Sequence, residues 1–259
     1  MFAKERQEKI CALLEHRSSV TVSELTALFQ VSIETVRRDL FALEQQQCLK
    51  RVHGGAVSVG ASHHMQQLEQ RMEDHKEEKR ELSLAAAGLI REGDIIAIDS
   101  GSTAAAFAQV LRERFHNLTV VTYSLDVFHI LADSLHPILC GGEFFKQENC
   151  FYGDIPCQIM NEFHVSKSFL CPYAVSLEHG LSDDEPKLWQ VQKTLLSIGD
   201  QTVILADSDK LETTALRKLS PLTDRMILVT DSHLPPEIER LYHEQGISLI
   251  LPTDRRTGT

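Results

Sequence analysis

The sequence predicts an α/β protein with two domains, a small helical domain followed by a larger domain built on a mostly parallel sheet. A chain of 259 residues is long enough for two domains of ordinary size. From Ile95 onward, short apolar runs alternate with helical stretches, as in a parallel sheet covered on both faces. Ahead of that region, three helical segments and a hairpin occupy residues 1–57.

The charge of the chain is unevenly distributed. The net charge is −11, but residues 1–57 carry +1 and the remaining residues carry −12. An acidic surface repels phosphate backbones, so any contact with nucleic acid must come from the amino-terminal segment.

Composition excludes several classes of protein. The chain is 42% hydrophobic and 24% charged, as in an ordinary globular protein. Its amino terminus lacks the apolar core of a signal peptide and no apolar run reaches the length of a membrane helix, which predicts a cytoplasmic protein with no membrane partner. The six cysteines form no Cys-x-x-Cys pair, so we expect no disulfide, no bound metal and no cofactor.

The amino-terminal segment has the start signals of closely spaced helices. After a first amphipathic helix, Thr21 and Glu24 form a capping box that begins a second helix. Ser32 is a natural N-cap for a third helix, which we expect to run to about Gln45. Two helices joined by so short a turn predict a helix-turn-helix whose third helix reads DNA.

The third helix and the stretch after it carry the candidate DNA contacts. Residues 49–57 alternate and turn at Gly54-Gly55, which predicts a wing beside the recognition helix. The arginine pair alone also fits a solvated basic face on a small helical domain. The candidate contacts are Ser32, Ile33, Glu34, Thr35, Arg37 and Arg38 on the helix and Lys50, Arg51 and His53 on the wing.

The remaining chain divides into a linker and a second domain. Residues 58–74 are rich in Gly, Ser, His and Gln and predict a linker, which leaves 75–259 as the α/β domain. The charged run from Glu73 to Arg80 is typical of the exposed start of a helix, which we expect to continue to Gly93.

Four motifs follow predicted strands of the α/β domain, at the ends where ligands bind in parallel sheets. The stretch Asp99–Thr103 joins a strand to a helix through Gly101, and its amides and hydroxyls can hold an anion or simply start the helix. In the last motif, Asp207 and Lys210 can bind a ligand or pair with each other. The motifs are Asp99–Thr103, Thr122-Tyr123-Ser124, Gly141-Gly142 with Gly153, and Ala206–Lys210.

These motifs together resemble the DeoR family of bacterial transcriptional regulators. The stretch VSIETVRRDLFALEQQQCLKRVHGGAV is similar to the family's recognition helix and wing. The resemblance implies a winged helix-turn-helix followed by a sensor domain related to ribose-5-phosphate isomerase. It also implies effector contacts at Asp99, Gly101, Ser102, Thr103, Gly141, Gly142, Gly153, Lys167, Asp207 and Lys210, with Tyr123, Ser124 and Lys146 at neighbouring motif positions.

Several positions depart from the family pattern. Tyr123 stands where the family usually has Asn, and Phe145, followed by Lys146, stands where it often has Arg. Cys150 replaces a Ser, and Cys171–Ala174 replace a Gly-rich stretch. These changes predict a reshaped effector pocket.

The resemblance implies a non-enzymatic DNA-binding protein. We expect a homodimeric or homotetrameric repressor of a sugar or polyol operon, which binds double-stranded operator DNA and is released by a small phosphorylated metabolite. One alternative is an isomerase-like enzyme with an added domain, for which Asp99 or Asp207 would have to act as the base. Another is redox or metal sensing through Cys140, Cys150 and Cys171.

Overall fold

The computed structural model describes residues 3–16, 19–45, 48–52, 55–58 and 68–252. The chain forms two compact units, residues 1–66 and 67–259. The predicted wing residue His53 and most of the predicted linker, residues 59–67, lie outside the described residues. The carboxyl-terminal part of that predicted linker is a helix, Leu68–Glu73, which belongs to the second unit.

The first unit is a winged helix-turn-helix, as the sequence predicts. Its elements are α1 (Ala3–His16), β1 (Ser19–Thr21), α2 (Val22–Phe29), α3 (Ile33–Gln45), β2 (Leu49–Val52) and β3 (Gly55–Ser58). The hairpin of β2 and β3 is completed by β1, which gives a small antiparallel sheet in the order β1-β3-β2.

Local signals set the helix boundaries in this unit. The capping box of Thr21 and Glu24 is present, with both reciprocal hydrogen bonds formed. Gln30 ends α2 in the left-handed conformation, and the Ser32 hydroxyl accepts the amide of Thr35 to begin α3. A turn of only three residues therefore separates the two helices.

In the part of the first unit that the structure describes, the core is apolar except for one buried ion pair. The buried side chains come from all three helices and all three strands: Ile10, Val20, Leu25, Val36, Leu40, Leu43, Leu49 and Ala56. Beside them, the Arg6 guanidinium of α1 pairs with Asp39 of α3, and both are at most 7% exposed. Gln7 donates a second hydrogen bond to the same carboxylate at 3.1 Å. These contacts fix α3 against α1 from its inner side.

The second unit is built on a seven-stranded parallel sheet in the order β15-β14-β12-β9-β4-β5-β6. The strands are β4 (Ile95–Ile98), β5 (Thr119–Thr122), β6 (His136–Leu139), β9 (Val165–Leu170), β12 (Gly199–Leu205), β14 (Met226–Val229) and β15 (Ser248–Ile250). The helices are α4 (Leu68–Glu73), α5 (Lys76–Ala87), α6 (Ser102–Arg114), α7 (Leu125–Leu131), α8 (Asp154–Asn161), α9 (Trp189–Ile198) and α10 (Pro236–Glu244). From Ile95 onward, strands and helices alternate as the sequence predicts.

Alternating strand residues feed two apolar cores, one on each face of the sheet. Ile96 and Ile98 point to the core that α5, α6 and α7 cover, whereas Ala97 points to the core on the side of α9 and α10. The same alternation occurs in β12 at Val203 and Ile204. Burial on both faces explains why these strands appear in the sequence as continuous apolar runs.

Two smaller strand pairings were not predicted. The hairpin of β7 (Glu143–Phe145) and β8 (Cys150–Tyr152) follows β6, and a sheet of β10 (Ala174–Ser176), β11 (Gly180–Asp183) and β13 (Arg217–Ser220) stands apart from the main sheet. A Cβ at Gly180 would lie 2.2 Å from the carbonyl oxygen of Ser220, so this pairing requires glycine there.

The charged run at the start of the second unit differs from expectation. The predicted single helix from Glu73 to Gly93 is wrong: α4 ends at Glu73 and α5 begins at Lys76, with His75 in the left-handed conformation between them. Within this run, which the sequence predicts to be exposed, Lys79 is only 4% exposed.

In the described ranges, no helix combines the length and apolar character needed to cross a membrane.

The Arg6–Asp39 pair allows a test of what holds the recognition helix. Asp39→Ala leaves a buried guanidinium without its carboxylate and should lower the free energy of unfolding of the first unit by about 3 kcal/mol or more. Calorimetry would detect its transition at lower temperature, while the fluorescence of Trp189, the single tryptophan, should report an unchanged second unit. Glu34→Gln, which breaks the exposed Arg37–Glu34 pair, is the control and should change stability by less than about 0.5 kcal/mol. An equal effect of the two substitutions would contradict this assignment.

Candidate DNA-binding surface and effector site

The outward face of α3 carries the predicted recognition residues. Val36, Asp39 and Leu40 are buried, whereas Ile33, Glu34, Arg37 and Arg38 are exposed on the opposite side. Phe41, 51% exposed, continues this face one turn further and was not selected from the sequence. The buried face fixes the helix while the basic face is open to solvent.

The polar groups at the start of α3 are held by short-range bonds. The hydroxyls of Ser32 and Thr35 lie 2.9 Å apart, and Arg37 contacts the Glu34 carboxylate at 3.1 Å with both side chains more than 60% exposed. Such an exposed pair contributes little energy, so a phosphate can replace Glu34 as the partner of Arg37. Lys50 and Arg51 lie in β2, the first strand of the wing.

The loops that follow four adjacent strands meet at the carboxyl edge of the main sheet. Asp99 follows β4, and its buried carboxylate accepts the amide of Ser100 and, from the loop after β9, the amide of Cys171, both at 2.9 Å. The hydroxyl of Tyr123, which follows β5, donates to the same carboxylate. Three segments distant in sequence are therefore tied together by one side chain.

Burial and hydrogen bonding shift the pKa of the Asp99 carboxyl group in opposite directions. Burial raises its pKa to about 6, and the hydrogen bonds from Tyr123, Cys171 and Ser100 oppose that rise. The pKa of Tyr123 is raised well above its usual value by burial and by the neighbouring carboxylate, so the phenol keeps its proton. Tyr123, which departs from the family pattern, thus supplies a hydrogen-bond donor to Asp99.

The next residues form the amino terminus of α6. Gly101 has φ +94°, a conformation that favours glycine, and precedes the first turn of the helix. Ser102 and Thr103 are at most 9% exposed, and the buried Thr103 hydroxyl has no hydrogen-bond partner within the part of the chain that the structure describes. Free amides, a helix dipole and an unused hydroxyl favour an anion here.

Ser124, in the motif after β5, and two of the predicted glycines have structural roles. Ser124 caps α7, since its hydroxyl accepts the amide of Val127 at 3.3 Å. A Cβ at Gly142 would lie 2.5 Å from the Pro156 ring, and Gly153 begins α8 with φ +91°. Gly141, which follows β6, has open space where a Cβ would stand.

Asp207 and Lys210 follow β12 at the same edge and pair with each other. The Lys210 ammonium lies 3.8 Å from Asp207 and donates to the carbonyl of Pro172 at 3.3 Å. Burial, together with the nearby charge of Lys210, lowers the pKa of Lys79 to about 8. The pairing that the sequence left open is thus present, and a second, unpredicted cation lies beside it.

A short, largely buried ion pair at this edge was missed by the sequence analysis. Arg71 of α4 contacts both carboxylate oxygens of Glu148 at 2.6 Å, with side chains 18% and 4% exposed. Glu148 belongs to a short 3-10 turn between β7 and β8, where the predicted effector contact Lys146 is exposed instead. No local pattern marks these two residues, because the segment around Arg71 has the composition of a linker.

Lys167 lies at the other edge of the sheet. It pairs in β9 with Ile96, and its ammonium lies 3.5 Å from Asp94, which precedes β4. The expectation that Lys167 joins Asp99 and Lys210 around one ligand is therefore not supported by this geometry. The family pattern indicates its position in the strand but not the edge to which its side chain extends.

Two further substituted positions are also buried. Phe145 packs in the core with the ammonium of Lys187 4.6 Å from its ring centre.

Burial raises the pKa of Cys140 to about 11 and raises those of Cys150 and Cys171 as well. Such thiols are poor nucleophiles near neutral pH, which gives the redox alternative no support.

Comparison with solved structures returns proteins of different activities. One chain of the tetrameric eIF2B-beta2-delta2 complex from C. thermophilum matches with a TM-score of 0.52 at 10% identity, covering 95% of this chain and 96% of that one. Ribose 5-phosphate isomerase A from Methanocaldococcus jannaschii matches with a TM-score of 0.40 at 18% identity, covering 53% and 55%.

Comparison with curated proteins returns transcriptional regulators. An uncharacterized HTH-type transcriptional regulator of Bacillus subtilis, YulB, is 32% identical over 99% of this chain and 100% of its own. The repressor GlcR of the same organism is 28% identical over 97% of both chains, and the glycerol-3-phosphate regulon repressor of Haemophilus influenzae is 28% identical over 95% and 96%. Their role is not enzymatic, which decides against the isomerase alternative.

Family models match both units of the chain. The DeoR-like helix-turn-helix domain matches residues 6–61, and the DeoR C-terminal sensor domain matches residues 74–232. The first match contains the basic face of α3, and the second contains the carboxyl edge built around Asp99. The chain belongs to the DeoR family of DNA-binding transcriptional regulators.

Proposed function

We propose that this regulator is a cytoplasmic repressor of a sugar or polyol operon, and that a phosphorylated metabolite releases it from its operator. The observation that carries the proposal is the amino terminus of α6, where buried hydroxyls and free amides favour an anion within an otherwise acidic domain. The name of the glycerol-3-phosphate regulon repressor adds support, because it links a relative of this chain to a phosphorylated polyol.

The proposed DNA contacts divide between α3 and the wing. Arg37 and Arg38 point about 100° apart around the helix, so one can approach base edges while the other approaches a phosphate. Ser32, Ile33, Glu34 and Thr35 surround them, and Lys50, Arg51 and His53 add backbone contacts from the wing. One such domain covers a half-site, so we propose that a homodimer or homotetramer binds the operator.

The proposed effector contacts are the residues that the structure gathers at the carboxyl edge. The phosphate binds at Gly101, Ser102 and Thr103, and Lys210 adds a positive charge from the loop after β12. Asp99 and Tyr123 set the polarity of the floor of this site. Ser124, Gly141, Gly142 and Gly153 shape its walls, Asp207 orients Lys210, and Lys146 lies at its periphery.

Arg37→Ala/Arg38→Ala should weaken binding to DNA that the wild-type protein selects from a random-sequence library. Loss of two arginine contacts should reduce affinity at least about thirtyfold. Arg112→Ala/Arg114→Ala removes the same charge from exposed positions on α6 and should leave affinity within about twofold. Gel shifts at one fixed salt concentration measure both, and unchanged binding by the first double variant would rule out α3 as the recognition helix.

Ser102→Ala/Thr103→Ala should abolish stabilisation by the effector. In a thermal-shift screen of phosphorylated sugars and polyols with their neutral parents, a ligand at about a hundred times its Kd stabilises the wild type by about 2.7 kcal/mol. Lys167→Met, at the opposite edge of the sheet, should keep this response. Stabilisation by the neutral parents alone, or a wild-type response from the double variant, would contradict the phosphate site.

Anion binding should strengthen as the pH falls through about 6. Asp99 is negative above its raised pKa and neutral below it, so acidification removes a negative charge two residues from Gly101. Inorganic sulfate, whose charge is constant between pH 5 and 8, is the suitable probe, and its affinity should rise roughly tenfold by calorimetric titration.

Tyr123→Phe provides the control for that titration. The hydrogen bond from Tyr123 lowers the pKa of Asp99, so its loss should move the midpoint of the sulfate profile to higher pH. A wild-type profile that is flat, or a midpoint that does not move in the variant, would show that Asp99 does not face the bound anion.

A further inference from the structure

Helix α4 joins the second unit through buried charged groups. It is the first described element of that unit and packs against α6, the helix whose amino terminus forms the proposed anion site. Leu68 is 8% exposed, and Arg71, in the last turn, contacts both oxygens of Glu148. Both bonds come from one nitrogen of the guanidinium, Nη2, and such charge-assisted hydrogen bonds are stronger than neutral ones.

The partner of Arg71 is anchored to the floor of the effector site. The turn that carries Glu148 is fixed at the end of β5, because the carbonyl of Asn149 accepts the amide of Leu125 at 3.0 Å and the amide of Phe151 bonds the carbonyl of Tyr123 at 2.9 Å. The Arg71–Glu148 pair therefore connects α4 directly to the strand end that positions Tyr123.

Lys79 fixes the end of α4 from the other side. Its buried ammonium donates to the carbonyls of Arg71 and Asp74, which are left without intrahelical partners where α4 stops. The charge of Lys210 lowers the pKa of Lys79 and also acts to lower that of Cys171, whose amide donates to Asp99. Arg71, Lys79 and Lys210 thus form a cation cluster that borders the proposed effector site.

The Arg71 guanidinium is incompletely used in this arrangement. Its buried Nε has no hydrogen-bond partner among the described residues, although Glu148 occupies its outer nitrogen. A planar guanidinium can bind a phosphate or a carboxylate through two nitrogens, which a rigidly held Glu148 does not achieve here. An acidic group that entered from the site could therefore bind Arg71 better than Glu148 does.

We propose that Arg71 is an anion subsite, which Glu148 occupies in the absence of ligand and an acidic group of the effector takes over. This inference rests on the proposed effector site and adds its regulation. Exchange of the partner breaks the connection between α4 and the turn, and α4 then becomes free to move. The effector shifts the equilibrium because it binds Arg71 only when the Glu148 contact is open.

Glu148→Gln tests the subsite in the full chain without any ligand. The substitution keeps the shape of the side chain and removes its charge, so α4 should open more often. Hydrogen–deuterium exchange of the amides of residues 72–74, which are the ones that so short a helix can bond internally, should become roughly ten- to hundredfold faster, and affinity for the selected DNA should fall. Arg71→Gln, which removes the other partner, should have the same two effects, and the Trp189 fluorescence would confirm that both variants are folded.

The control is Glu113→Gln, which breaks the exposed Arg80–Glu113 pair between α5 and α6. It removes the same charge and should leave both measurements within about twofold of wild type. If Glu148→Gln and Glu113→Gln behave alike in exchange or in DNA binding, the proposal is overturned.

Inorganic phosphate separates failure of this proposal from failure of the effector site. In the wild type, phosphate should accelerate exchange in α4 and weaken DNA binding, whereas in Glu148→Gln it should cause no further acceleration. Thermal stabilisation by phosphate that Ser102→Ala/Thr103→Ala abolishes, with unchanged exchange in α4, would keep the effector site and overturn the subsite at Arg71. Absence of any stabilisation of the wild type would instead overturn the effector site and, with it, the role of Arg71 in sensing.

Discussion

The second unit depends on one constraint, that a carboxylate buried at the end of a parallel sheet must find its hydrogen bonds inside the protein. Asp99 is 1% exposed, and its donors come from its own loop, from the end of β5 and from the loop after β9. Glu148 and Asp207 obey the same constraint through Arg71 and Lys210. The carboxyl edge is therefore a network of charged groups whose members come from distant segments. A change of charge at one of these groups alters the electrostatic environment of the others.

That network makes the edge suitable for sensing rather than for permanent structure. Apolar side chains of similar volume would hold the same elements together at no electrostatic cost, as replacement of buried ion pairs often shows. A guanidinium stays paired when a charged ligand takes the place of its carboxylate, and the displaced carboxylate then has to reach solvent, whereas an apolar contact offers no such exchange. The Arg71–Glu148 contact is a place where such an exchange can occur, and the Thr103 hydroxyl, which has no hydrogen-bond partner among the described residues, is a free donor on α6.

Much of this fold follows from the sequence, because its strands are buried on both faces and its helices carry local caps. The capping box at Thr21, the wing and the alternation of strands and helices after Ile95 needed no long-range information. The pairing of β11 with β13 did, since the contact that requires Gly180 comes from a residue far along the chain. The same holds at the site. Asp99 and Lys210 could be predicted because they follow strand ends, whereas Glu148 and Arg71 could not, because each is marked only by its contact with the other. The side chain of Lys167 extends to the opposite edge of the sheet, which its position in the strand does not reveal.

The distribution of charge also determines how a ligand can act on DNA binding. The cations that we propose as DNA contacts lie in the first unit, which carries +1, and those that we propose as effector contacts lie in an acidic second unit. A metabolite held as proposed by Lys210 and Arg71 binds none of the proposed DNA contacts. Release has to be a coupling free energy, passed from one unit to the other through a difference between two states of the protein. Helix α4 is the element where the chain enters the second unit, so a charge exchange that frees or fixes α4 is the most direct source of that difference.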